Sequence, residues 1–467
     1  MATPFYVTTS IPYVNAAPHL GFALEFVQAD TFARYHRLLG DDTRLLTGTD
    51  DNSLKNVLAA EREGVPVREL VDRNARVFEA LAPALDLAND DFIRTSADAR
   101  HLAGARRLWQ VLDARGDIYK RHYQGLYCVG CEQFYAPDEL AEGRCPEHGT
   151  LPETVREENY FFRLSRYQEA LERLLDSGRL QIIPQTRRNE VRAFVARGLH
   201  DLSISRSRTR ARGWGIEVPG DPEQVMYVWF DALANYITAL GYGDGAEGAE
   251  AGALYQRYWI DNPSKVHVIG KDIIRFHAVY WPAMLLAAGE PLPDTIFVHG
   301  FLTIAGGRLS KSAGNVVDPL ALAARYGADA VRYWLLREVS PTEDADYTDE
   351  KLERRYTADL ANDLGNLLQR TVSMLHRYRG GRVPVPPADL PGAAGDLPRL
   401  AQAVVARLHQ SLGLGYDPQG ALAGIWELVA RANRYVEETA PWALARTERT
   451  EVEQTEVEQT EAEQTEA

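Results

Sequence analysis

The sequence predicts an α/β protein: a parallel, doubly wound sheet, an inserted cysteine-bearing subdomain, and an all-helical domain after them. Three observations carry this reading. Runs of β-branched and aromatic residues alternate with helical periodicities through residues 5–115, the rhythm of βαβ units. The rhythm breaks in a stretch that holds all three cysteines of the chain, Cys128, Cys131 and Cys145. From Leu352 onward only helical patterns remain.

Length and composition bound the possibilities. A chain of 467 residues holds two to four domains and a large core. Its 45% hydrophobic and 25% charged residues are those of a soluble globular protein. No apolar run approaches the ~18 residues of a membrane span. The N-terminus passes straight into a strand without a basic-then-apolar leader. A cytoplasmic location and no membrane partner are the expectation. The net charge is −15, but residues 447–467 carry eight Glu and one Arg, so −7 of it is local and −8 remains. A nucleic-acid partner would therefore need local basic patches, for which Arg206-Ser-Arg-Thr-Arg-Ala-Arg212 is a candidate.

The first strand is Phe5-Tyr-Val-Thr-Thr-Ser-Ile11, aromatic and β-branched almost throughout. Pro12, Asn15 and Pro18 break it into a loop that ends in His19-Leu20-Gly21. A helical pattern follows, with Leu24, Val27, Phe32 and Leu38-Leu39 among its apolar positions. An imidazole and a glycine thus stand where a strand hands over to a helix N-terminus, whose free N–H groups and positive end suit a phosphate. Residues 43–50 read as a second buried strand ending in an acidic loop, residues 54–63 and 66–85 as helices, 91–96 as a third strand and 101–115 as a further helix. In such a sheet ligands sit at the carboxyl ends of the strands, where His19 and Asp50 fall.

Residues 117 to about 225 interrupt this pattern. They contain Cys128-x2-Cys131, thirteen intervening residues, and Cys145-x2-His148. Two such knuckles supply four ligands for a tetrahedral zinc ion, and a closed four-ligand site is structural rather than catalytic. The sheet pattern resumes at Gln224–Tyr236, with a helix predicted from Asp231 that puts Ala232, Leu233 and Tyr236 near one face and Trp229 at its mouth. Val266–His277 reads as a strand, a turn at Gly270 and a helix carrying His277; Asp272 is placed to accept from ribose hydroxyls. Gly306–Asn315 is a glycine-bounded loop with the cations Arg308 and Lys311 and the hydroxyls Ser310 and Ser312, chemistry suited to a polyphosphate. Helical stretches follow at 319–336, 358–378, 399–414 and 419–439, with a Pro/Gly-rich linker at 380–398.

His19-Leu20-Gly21-Phe22 and Arg308-Leu-Ser-Lys-Ser312 together resemble the HIGH and KMSKS elements of class I aminoacyl-tRNA synthetases. Between them the chain resembles the methionyl-tRNA synthetases that carry a single zinc knuckle, and the likeness runs from Phe5 to about Arg446. The resemblance implies a class I synthetase Rossmann-like sheet with an inserted zinc-binding subdomain and an all-α anticodon-binding bundle. It implies a methionine pocket of Ile11, Tyr13, Trp229, Ala232, Leu233, Tyr236, Ile273 and His277, with Asp50 facing the substrate ammonium. ATP would meet His19, Gly21, Gly270, Asp272, Arg308 and Lys311, and catalysis would fall to His19, Ser310, Lys311 and Ser312. Asn366, Arg370 and Trp442 match the anticodon-reading positions. The zinc ligands would be Cys128, Cys131, Cys145 and His148. The implied reaction is ATP-dependent formation of methionyl-adenylate and transfer to tRNA(Met), with Mg²⁺ accompanying ATP and structural Zn²⁺ in the knuckle, in a monomer.

The chain departs from the family at three points. Phe22 stands for the second histidine of the HIGH element, Asp50-Asp51-Asn52-Ser53 for Asp-Glu-His-Gly, and Arg308-Leu309 for Lys-Met. Losing one transition-state donor costs roughly 10²–10³ in rate, so a reduced activity is expected. The same departures admit two other readings: a synthetase-like enzyme whose adenylate serves a different acceptor, and a catalytically silent binding protein. Beyond Pro441-Trp442, where the family continues with a helix that closes the bundle, an acidic five-residue repeat begins at Glu451. The domain boundaries read as 1–116 for the first half of the catalytic domain, 117–225 for the insertion and 226–295 for the second half. A stem-contact region at 296–355, a shortened helical domain at 356–446 and the acidic tail at 447–467 complete them.

Overall fold

The computed structural model describes residues 2–135, 137–146, 149–243, 249–304, 307–308, 316–386 and 393–447. The chain divides into two compact units, residues 1–335 with 339–346 and residues 336–338 with 347–467. No helix among the described residues is long and apolar enough to cross a membrane.

The first unit is organised on a six-stranded sheet, parallel throughout. Its strand order is Asp91–Arg94, Asp42–Thr49, Pro4–Thr9, Lys265–Gly270, Thr295–His299 and Gln181–Ile183. Pro4–Thr9 is central: Val7 pairs with Leu45 on one side and Val266 on the other. Its last five residues are buried, as strands covered on both faces must be. The order runs outward in one direction from Pro4–Thr9 and in the other from Lys265–Gly270, which makes the gap between these two strands the switch point where an open α/β sheet binds ligands. Tyr6, Leu46, Ile93, Trp109, Phe230, Trp259 and Trp281, all 2% exposed or less, form the core around it.

Helix Leu20–Leu38 starts at the loop after the first strand, with His19 as its N-cap. Helix Leu54–Glu63 begins at Ser53, whose side chain accepts from the Lys55 N–H, and stops at Gly64 in the left-handed region at φ 68°. The segment read as one helix over 66–85 is two, Val67–Glu79 and Leu81–Ala84. The helix expected from Asp231 starts earlier, at Val228. Two strands depart from the boundaries read in the sequence. Gln181–Ile183, inside the insertion, pairs with Thr295–Phe297 and forms the sheet edge, and Thr295–His299 carries the sheet beyond residue 295. The rest of the insertion holds a four-stranded antiparallel sheet in the order Gln133–Tyr135, Ile118–Cys128, Glu153–Phe162 and Leu202–Ser203.

The second unit is helical: Asp349–Arg355 continues through Tyr356–Gly365 into Asn366–Arg379, followed by Ala393–Gly413 and Pro418–Thr439. The helix expected from Arg399 begins at Ala393 and takes in Pro398. Near a helix start the proline leaves only the Ala394 carbonyl without its donor. Leu364, Leu368 and Val372, four residues apart, are 41%, 64% and 42% exposed, an apolar stripe along one face.

Candidate active site

A cavity of about 350 Å³ opens at the switch point. The loop after the first strand supplies Ser10, Ile11, Pro12, Tyr13, Asn15, His19, Gly21 and Phe22 to it, and the facing wall comes from Trp229, Gly270, Asp272, Ile273 and His299–Leu302. The carboxyl ends of three strands therefore converge on one volume.

His19 Nδ1 accepts from the Gly21 N–H at 3.1 Å. That bond places the proton of the neutral ring on Nε2, the nitrogen that can donate to an anion. The Phe22 ring stacks on His19 at 4.3 Å and meets Phe78 edge-on at 5.4 Å. The residue that departs from the family is thus an apolar wall rather than a donor. Gly270 lies against Asp272: a Cβ there would come 3.0 Å from Asp272 Oδ1.

Glu25 and His299 form a buried pair in this cavity that sequence reasoning missed. Ser10 donates to Glu25 Oε1 from its N–H and its hydroxyl, both at 2.7 Å, and His299 Nε2 lies 2.9 Å from Oε2. His299 Nδ1 lies 2.7 Å from the Gly300 carbonyl. Both ring nitrogens face acceptors, which requires the imidazolium. Burial draws the His299 pKa down, and the hydrogen bond and charge of Glu25 override it and hold it above the ordinary value. The available signal was a carboxylate inside the apolar face that Leu24 and Val27 define.

Behind Tyr13 lies an acidic cluster. Asp50 is 1% exposed and bridges backbone to backbone with Tyr13. Asp231 is fully buried. Asn52 joins the two carboxylates, its N–H donating to Asp50 Oδ1 at 3.2 Å and its side-chain amide to Asp231 Oδ2 at 3.1 Å. Burial, then the charges of Asp231 and Glu132, push the Asp50 carboxyl well above its usual range, and burial does the same to Asp231 against the hydrogen bond from Asn52. A cation placed here would restore both carboxylates to their charged forms. Asp231 Oδ1, Tyr13 Oη and Trp229 Nε1 are buried polar atoms with no hydrogen-bond partner among the described residues. Asp51, by contrast, is paired with Arg94 at 2.9 Å and accepts from Ser96.

The remaining apolar candidates are divided. Ile11, Tyr13, Trp229 and Ile273 line the cavity; Ala232, Leu233, Tyr236 and His277 are buried next to it and do not. Trp229 stands between the two groups, stacked on Phe276 at 3.8 Å and edge-on to His277 at 6.3 Å. The Tyr236 hydroxyl donates to His277 Nε2 at 2.7 Å while Nδ1 faces the Ile273 carbonyl at 3.0 Å. Burial pushes His277 down to about 4, so the ring is neutral.

The Arg308 backbone pairs with Leu302–Ile304. Ser310, Lys311 and Ser312 lie outside the described residues. Arg370 and Trp442 come together in the second unit, the guanidinium 5.5 Å from the ring centroid and 2.6 Å from Glu437; Asn366 is exposed one turn earlier on the same helix. The run from Arg206 to Arg212 is not a free basic patch. Arg206 is buried between the Tyr127 and Tyr227 rings, Arg208 and Arg212 pair with Glu217 and Glu61, and Arg210 lies 3.6 Å from Glu153. Its alternate arginines fold inward because aromatic faces and acids of the insertion receive them.

The sulfurs of Cys128, Cys131 and Cys145 lie within 4.8 Å of one another, and none is in a disulfide. Three thiols at this separation fit a tetrahedral metal ion that takes its fourth ligand elsewhere; His148 lies outside the described residues.

A family model described as tRNA synthetases class I (M) matches residues 5–151 and 137–372. The methionine–tRNA ligase of Brucella suis is 47% identical over 451 residues, 95% of this chain and 84% of its own length. That of Mycobacterium bovis is 46% identical over 452 residues, with the same shares covered. A solved structure of Mycobacterium tuberculosis methionyl-tRNA synthetase in complex with methionyl-adenylate matches with a TM-score of 0.89 at 46% identity, covering 95% of this chain and 85% of that one.

Proposed function

The chain belongs to the class I methionyl-tRNA synthetases, and from that premise we propose that it is a methionine–tRNA ligase. It activates methionine with ATP to methionyl-adenylate and transfers the methionyl group to tRNA(Met). The observation that carries this reading is the cavity at the switch point, walled by Tyr13 and Trp229 with Lys55 over the Tyr13 ring, and backed by two buried carboxylates whose pKa values burial raises.

The roles follow from the chemistry. The methionine ammonium sits at Asp50, and its arrival stabilises the charged form of that carboxyl and of Asp231. Trp229, Tyr13, Ile11 and Ile273 hold the thioether, with Ala232, Leu233, Tyr236 and His277 reached once Trp229 moves off His277. Aligned in this way, the methionine carboxylate attacks the α-phosphorus in line and pyrophosphate departs. His19 Nε2–H, the Gly21 backbone, Arg308 and Lys311, with Ser310 and Ser312, receive the charge on the departing oxygens. Asp272 accepts from the ribose hydroxyls beside Gly270. A terminal ribose hydroxyl of the tRNA then attacks the methionyl carbonyl and loses its proton, and AMP departs as the ester forms. Mg²⁺ accompanying ATP would neutralise phosphate charge. Cys128, Cys131 and Cys145, with His148, would hold a Zn²⁺ ion whose role would be structural. Asn366, Arg370 and Trp442 read the anticodon, Trp442 by stacking on an unpaired base. The protein acts as a cytoplasmic monomer.

ATP–pyrophosphate exchange, run with each amino acid in turn on zinc-loaded protein, tests the reading. Exchange dependent on methionine alone is the expected result. Exchange supported equally by leucine or isoleucine, or by none, would sink it.

A further inference from the structure

The arginine run at 206–212 folds inward, and the turn that follows it reaches the acidic loop at Asp50. Arg212, Gly213 and Gly215 take φ of 53°, 74° and 129°, so three of four consecutive residues have positive φ. A residue with a Cβ is strained there, and such strain persists only where the surroundings hold it. The Gly213 N–H donates to the Arg208 carbonyl at 2.9 Å, and the Arg212 side chain pairs with Glu61. What this fixed turn presents is the partly buried indole of Trp214.

Trp214 Nε1–H donates to the Asp51 carbonyl at 2.8 Å. Asn56 Nδ2 donates to the same oxygen at 2.9 Å, so both of its lone pairs are used. That carbonyl and the Asn52 N–H belong to one planar peptide unit and point in opposite directions. The N–H donates to Asp50 Oδ1 at 3.2 Å. The donors on one side of the unit therefore set where its N–H points on the other. Turned over, the unit would aim a carbonyl oxygen at the Asp50 carboxylate. Donation to the carbonyl also polarises the unit and strengthens its N–H as a donor.

The indole is held from its face as well. The Arg68 guanidinium lies 5.0 Å from the ring centroid and donates to Ser96 Oγ at 2.9 Å, and the Ser96 hydroxyl donates to Asp51 Oδ2 at 2.7 Å. Trp214, Arg68, Ser96 and Asp51 thus close a ring of contacts around the peptide that Asp50 depends on.

We infer that Trp214 is a positioning residue for the substrate ammonium: its N–H fixes the Asp51–Asn52 peptide, and that peptide fixes the Asp50 carboxylate. The inference rests on the ligase reading for the identity of the ligand. The indole belongs to the insertion, so the contact ties the insertion to the ammonium subsite without touching the substrate.

Trp214→Phe and Trp214→His, each in the full zinc-loaded chain, test it. Phenylalanine keeps a ring beside Arg68 and loses the N–H. Histidine, laid over the five-membered ring of the indole, puts Nε2 where Nε1 stood and can donate from it. In pyrophosphate exchange Trp214→Phe should raise the KM for methionine about tenfold, the scale of one hydrogen bond, with kcat and the KM for ATP within about twofold. Trp214→His should recover most of the loss. Hydrogen exchange over residues 50–53, read without substrate, should be faster in Trp214→Phe and close to wild type in Trp214→His. That readout stands apart from the ligase reading: a chain inactive in pyrophosphate exchange that still shows this pattern would support the hold on the peptide while sinking the ligase. Unchanged hydrogen exchange in Trp214→Phe would overturn the inference. So would a methionine KM that does not move, one that rises only as much as the KM for ATP, or an equal defect in Trp214→His.

Discussion

At the residue scale, the phosphate end proposed for the site depends on one imidazole held by its own helix. His19 gives Nδ1 to the Gly21 N–H, so Nε2 carries the proton, while Phe22 offers nothing polar. His19→Ala should therefore lower the rate of pyrophosphate exchange about 10²–10³-fold with little change in the methionine KM, measured by steady-state exchange. The Glu25–His299 pair makes a different prediction. The folded His299 pKa is raised above the unfolded value of 6.5. Its stabilisation is thus fully present below that value and is lost as pH rises through the folded pKa. The melting temperature of Glu25→Gln relative to wild type, followed by calorimetry, should lag most at low pH and converge as pH rises. A gap independent of pH would show that the pair is not ionic. This pair was hidden in the sequence because its members stand 274 positions apart. A single Glu on an apolar helix face and a His at a strand end each have bland explanations. Asn52 was legible only as a missing histidine; that its backbone and side chain join Asp50 to Asp231 needed coordinates.

At the scale of elements, legibility followed length and punctuation. Helix Leu54–Glu63 was readable to both ends because Ser53 and Gly64 mark them. Gln181–Ile183 was not: three residues carry no periodicity, and only pairing with Thr295–Phe297 makes them a sheet edge. The break of Pro66–Leu85 into two helices was marked by Pro83, which has no N–H to carry a single helix through. The cysteine knuckle also acts beyond itself. Glu132, next to Cys131, sits in the left-handed region at φ 52°; its carboxylate accepts from the Ser53 hydroxyl and the Lys55 N–H, and its carbonyl from the Tyr227 hydroxyl. The knuckle thereby holds the turn that presents Asp50. Stripping the metal with a chelator should speed hydrogen exchange at residues 128–146 and also at 50–55, leaving Pro4–Thr9 and Lys265–Gly270 protected. Protection retained at 50–55 would mean that the two are not coupled.

At the scale of the whole molecule, the residues proposed for activation and those proposed for anticodon reading fall in different units of the chain. Arg370→Ala and Trp442→Ala should leave pyrophosphate exchange unchanged and raise the KM for tRNA about tenfold, the loss expected of one stacking or charge contact. The sequence reading reached the class I architecture through short motifs; of these, His19 caps the helix after the first strand, and Cys128, Cys131 and Cys145 come together in the insertion. It could not see that Trp229 lies on Phe276, separating the lined cavity from Tyr236 and His277, because that is decided by packing between segments distant in the chain. With Phe22 and Asn52 in its site, this chain is expected to charge tRNA. Attachment of radiolabelled methionine to tRNA(Met) by the zinc-loaded protein, in parallel with its pyrophosphate exchange, tests it most directly. Both reactions are expected, with charging abolished when ATP or methionine is left out. Exchange without charging at any tRNA concentration would contradict it and point to an adenylate made for another acceptor.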